Sequence, residues 1–151
     1  MKTEEDVCKA LNKAHFLKRT AELAERFRRN PEIKKVPTPG KAKVYKMVEK
    51  LGYIPRYDYY GYDIVRADHP GIRCEISFHF YYNWVCFAFD YINEGERIYC
   101  NPWWQIKIDL SQDEDYRSGS PAFSSDGDLE EILAEAIKIY EDSVKALYEE
   151  D

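Results

Sequence analysis

Three carboxylates, Asp63, Glu75 and Asp90, fall in segments where polar and apolar residues alternate, so β pairing could bring them onto one surface. Ser77, His79, Trp84 and Cys86 share that alternation. Carboxylates beside a histidine can share a proton or hold a divalent ion. They can also offer negative charge to a basic partner, with neighbouring aromatics as anchors. Asp109 is a fourth acid, from a later segment.

No local motif turns this set into a named reaction. The chain has no G-x-S-x-G, P-loop or G-x-G-x-x-G pattern. Its cysteines, Cys8, Cys74, Cys86 and Cys100, form no C-x-x-C pair of the kind that brings two thiolates to one zinc ion. His15 falls inside an expected helix and His69 in an expected turn. No residue is expected to be catalytic, and no metal or cofactor is expected. Asp63, Glu75, His79, Trp84, Asp90, Trp103 and Asp109 are expected to form a partner-binding surface. Trp103 and Trp104 follow Pro102, with one expected to pack inward and the other to serve as an interface anchor.

The elements that would position these residues can be read from periodicity. Thr3 precedes Glu4, Glu5 and Asp6, a helix start, and an apolar stripe from Val7 to Phe27 continues at helical spacing up to Asn30-Pro31. A second helix is expected with Thr38 as its cap, Pro39 at its first position, a face of Ala42, Tyr45, Val48 and Leu51, and Gly52 as its stop. From Tyr53 the period shifts towards two. A turn at Tyr82-Asn83 would pair Phe80 with Val85, Phe78 with Phe87 and Ile76 with Phe89. That register sets Glu75 opposite Asp90, a repulsive arrangement that Arg73 and Lys107 would ease.

An earlier strand, about Tyr59 to Ala67, is expected to turn Tyr60, Tyr62 and Ile64 inward, because the other register buries Asp63. It ends in the turn Asp68-His69-Pro70-Gly71. Strands at Arg97 to Cys100 and Trp104 to Leu110 follow, the latter with Lys107 and Asp109 facing out. A last helix starts near Ser125 or Asp126, with a stripe from Leu129 to Leu147. The whole chain, 1–151, reads as a single α+β domain. An antiparallel sheet of four to five strands carries two N-terminal helices and one long C-terminal helix, mainly on one face.

The chain of 151 residues carries a net charge of −6, unevenly placed. Residues 1–56 hold 15 Lys/Arg against 7 Asp/Glu, and residues 57–151 hold 7 against 21. Such segregation either creates two faces of opposite sign or is neutralised when the halves pack together. The basic stretch Arg26 to Lys50 could meet phosphates, but the acidic chain and the lack of a nucleic-acid motif make nucleic acid an unexpected partner. The first residues lack an apolar core of signal-peptide length, and no apolar run approaches a membrane span. The expectation is a cytoplasmic protein with free thiols and no membrane contact.

In kind, this small acidic chain without catalytic motifs resembles bacterial immunity proteins. The resemblance implies a non-catalytic inhibitor whose acidic, aromatic surface neutralises a basic toxin, for example a nuclease. A phage-encoded inhibitor of a host defence protein fits the same profile. A small-molecule-binding domain or enzyme using the carboxylate and histidine cluster is the alternative of a different class. Exposed aromatics on an open face favour an inhibitor, and a deep pocket enclosing Glu75, His79 and Asp90 favours the alternative.

Overall fold

The computed structural model describes residues 2–28, 36–58, 60–69 and 71–149, with only the backbone for 66–69. The expected helix stop at Asn30-Pro31, Tyr59 and the turn residue Pro70 lie outside the described residues. The order is α1 (Glu4–Lys13), α2 (Phe16–Arg26), α3 (Lys41–Lys50), β1 (Arg56–Asp58), β2 (Gly61–His69), β3 (Ile72–Tyr81), β4 (Trp84–Asn93), β5 (Glu96–Pro102), α4 (Trp103–Ser111) and α5 (Asp126–Tyr148). This is an α+β fold on a five-stranded antiparallel sheet of order β1-β2-β3-β4-β5.

The central hairpin has the register its alternation demands. Phe80 pairs with Val85, Phe78 with Phe87 and Ile76 with Phe89. A slip of one residue would turn one strand's apolar set outward, so burial selects this pairing. Tyr62, Ile64, Cys74, Ile76, Phe78, Phe87, Phe89 and Tyr91 make the buried face of the sheet. The helices pack there. Phe16 of α2 meets Phe89 and Trp103 edge-on. The Tyr140 hydroxyl of α5 donates to the Cys74 carbonyl at 2.7 Å, and Tyr91 and Ser143 join their hydroxyls at 2.8 Å. Both bonds satisfy hydroxyls that burial would otherwise leave unpaired.

Helix starts follow local chemistry. Thr3 and Asp6 form a reciprocal capping box on α1, and the Ser125 side chain accepts from the Asp128 amide on α5. The expected first helix is two. His15 takes a left-handed conformation, φ 58°, and breaks it between Lys13 and Phe16. Histidine is among the residues that tolerate this region best. The break lets Phe16 turn fully into the core. The expected cap of α3 is also revised. Gly40 stands at the N-cap with no side-chain bond, and Val44, Met47 and Val48 are its buried residues, while Ala42 is exposed.

Two further expectations are corrected. Trp104 to Leu110 is helical, not extended. Trp103, Ile106 and Lys107 are buried at spacings of three and four, so Lys107 faces in. Tyr60 lies outside β2 and is 83% exposed. Gly61 follows it at φ 148°, where an added Cβ would collide with the Phe78 carbonyl oxygen. The strand therefore begins at Gly61, with Tyr60 left in the turn from β1.

Candidate functional site

β5 leaves the sheet at Pro102, which pairs with Ala88. The chain makes α4 and a loop, then returns at Ala122 to bridge Trp84, and the Val85 amide donates to the Pro121 carbonyl at 3.0 Å. One strand position is thus filled from both ends by segments distant in sequence. Trp104, Lys107, Ser118 and Ser120 border the space between them, beside the sheet face opposite the core.

Register puts Asp63, Ser77 and Ala88 on one rung of that face, and Glu75 and Asp90 on the next. His79, Cys86 and Trp84 continue it by alternation. The three sheet carboxylates therefore share a face, but their surroundings differ. Glu75 is only 7% exposed and accepts from Arg73 Nε at 2.6 Å and Arg56 at 3.5 Å. These two arginines pair with Glu75 itself, although its charge still acts on Asp63 and Asp90. Lys107 plays no part in that pairing, because it is buried on α4.

Asp63 and Asp90 make no ion pair among the described residues. Both carboxyls titrate above their ordinary range. Partial burial is the main cause for each; Asp58 and then Glu75 add repulsion at Asp63, and Glu75 adds it at Asp90. Arg56 partly offsets the rise at Asp63, and Arg97 that at Asp90.

Two residues expected on this surface lie elsewhere. Asp109 is on α4, where its carboxylate accepts from the Tyr99 hydroxyl at 2.6 Å and from Gln105 at 2.8 Å. Tyr99 is a buried residue on the core side, so Asp109 does not join the acidic rungs. Trp103 is 5% exposed and stacks on Phe87 at 4.5 Å, so it is a core residue and not a surface anchor. Its neighbour Trp104 is the exposed one, at 63%.

A cleft of about 320 Å³ opens on this face. Asp63 and Tyr60 lie along it with His79, Cys86, Trp104 and Lys107. Glu75 and Asp90 are not part of its wall. Cys86 comes within 4.0 Å of the Ser120 hydroxyl, and burial pushes its thiol up, away from the reactive thiolate. Lys107 is the residue periodicity missed. Burial pulls its ammonium down to about 8. The signal lay in Trp103, Ile106, Lys107 and Leu110, which fit a helical stripe as well as WWQIKIDL fits a strand.

The described residues contain no group of three His, Cys, Asp or Glu placed to hold a metal ion, and none of the four cysteines forms a disulfide. No described helix is long and apolar enough to cross a membrane. No family model, curated protein or solved structure gives a significant match to this chain.

Proposed function

We propose that this chain is a non-catalytic protein-binding domain of the immunity-protein type, which neutralises a basic toxin or effector by laying its open sheet face against it. One observation carries the reading: Asp63 and Asp90 lie without ion pairs among the described residues, on a face that exposed aromatics border on three sides. Tyr60 stands at the β1–β2 turn, Tyr81 at the hairpin tip and Trp104 at the start of α4, each more than half exposed. A cationic surface would relieve the carboxylates, and the aromatics would supply apolar contact around them.

The test begins with capture of host proteins on the immobilised chain and titration of the captured partner. Replacing Asp63 and Asp90 with Asn should slow association by about tenfold at low salt and less at high salt. Trp104→Ala should speed dissociation, costing about 2 kcal/mol if it is an anchor. A partner whose affinity ignores both changes, or whose activity survives in the complex, removes this reading.

A further inference from the structure

The inner end of the cleft holds an unusual set of polar atoms. Lys107 is 4% exposed, and its amine donates to the Ser118 carbonyl at 3.3 Å. It lies 6.0 Å from the centre of the Trp103 ring. No carboxylate pairs with it among the described residues. Beside it, the Ser118 hydroxyl and the Trp103 indole N–H are buried without a hydrogen-bond partner. Unpaired buried groups of this kind each cost roughly 1–3 kcal/mol. A water molecule could satisfy the hydroxyl and the indole, but it could not balance the charge of the ammonium.

From this cluster we infer that the inner end of the cleft binds a small organic carboxylate, with Lys107 as its counter-ion and Ser118 Oγ and Trp103 Nε1 as further donors. A single cation matches a monoanion better than a phosphate dianion. The organic part follows from Ala88, Pro102 and the two tryptophans, apolar residues that line the cleft. The volume, about 320 Å³, is at the small end of ligand sites. Asp63 and Asp58 at the other end repel a second carboxylate, so the far end of the ligand is neutral or cationic. This site concerns the isolated chain and does not depend on a protein partner.

The probe is benzoate, followed by tryptophan fluorescence, with benzyl alcohol as its uncharged counterpart and inorganic phosphate as a bare anion. Benzoate should bind at least about tenfold more tightly than either. Its affinity should fall as pH rises above about 8, where Lys107 loses its proton. Lys107→Met keeps the length of the side chain and should weaken benzoate by about tenfold or more, leaving benzyl alcohol unaffected. If that variant fails to fold, two measurements remain. Ser118→Ala should weaken benzoate a few-fold, and benzoate should raise the Lys107 pKa of the wild type, read by NMR of the lysine side chain. Equal binding of benzoate and benzyl alcohol overturns the inference. So does phosphate binding as tight as benzoate, an unmoved Lys107 titration, or absence of binding at roughly 10 mM benzoate, the floor of useful affinity.

Discussion

The helical layer and the open sheet face treat charge in opposite ways. In the helical layer the basic first part of the chain meets the acidic last helix. Arg19 bridges Glu135 and Asp142, Arg26 reaches Glu131, Lys43 reaches Asp126 and Lys50 reaches Glu130. Part of the segregation visible along the chain is thus neutralised where these elements meet. On the sheet face Glu75 is neutralised by two arginines, while Asp63 and Asp90 have no ion pair among the described residues and titrate above their ordinary range. Charge imbalance along a sequence is a poor guide to function when the two halves lie against each other. The informative charges are those the fold had partners for and left unpaired.

The largest effect is expected at Phe87. Phe87 supports both regions, since it lies in the buried sheet face and stacks on Trp103. Phe87→Ala should cost roughly 3–5 kcal/mol in chemical denaturation. A loss below about 1 kcal/mol would mean that the two regions do not share this core. Next in size is Arg19→Met. Its guanidinium is 20% exposed and holds two carboxylates, so the loss should be about 2 kcal/mol. Arg26→Met, on an exposed pair, should lose less than about 0.5 kcal/mol. Equal losses at the two sites would show that burial does not grade the helical ion pairs.

The two acids of one rung sharpen the contrast within the sheet. Glu75→Gln should destabilise by about 1 kcal/mol, because it weakens charge-assisted bonds to Arg73 and Arg56. Asp90→Asn should do the reverse and stabilise at pH 7 by up to about 0.5 kcal/mol. The sign follows from its raised titration. An acid harder to ionise when folded than when unfolded favours unfolding as pH climbs from the unfolded pKa past the folded one. The gain from Asn is therefore full above that window and vanishes in acid, where Asp90 is protonated in both states. Urea midpoints of both variants across pH 3 to 8 would separate the cases, and a matching sign at pH 7 would sink the distinction.

Most of the fold was legible where burial and period agreed. The β3–β4 register and the Ser125 start of α5 could be read because each alternative placed apolar side chains in water or left a cap unused. The shared face of Asp63, Glu75 and Asp90 followed from that register. Legibility failed where two periods fit the same residues. WWQIKIDL alternates as a strand but also places Trp103, Ile106 and Lys107 on one helical side, and departure from the sheet at Pro102 decided between them. The break at His15 leaves no mark in the apolar stripe, since both helices use it. Lys107 was illegible for a plainer reason. A lysine is expected outside, and the sequence does not show that the loop after α4 brings the Ser118 carbonyl to it.

The sheet order, in which every strand pairs with its neighbour in sequence, has a consequence for how the chain folds. All five strands can find one another by closing short loops, the kind of search that proceeds fastest. The helical cover cannot. α1 packs against α5, so helices that flank the whole sheet in sequence must meet before its apolar side is sealed. Until α5 docks, the meander leaves Ile76, Phe89 and Tyr91 without the cover that buries them in the folded chain. A chain cut before α5 would keep the strands but leave one apolar side of the sheet unsealed, the kind of surface through which partly folded chains aggregate.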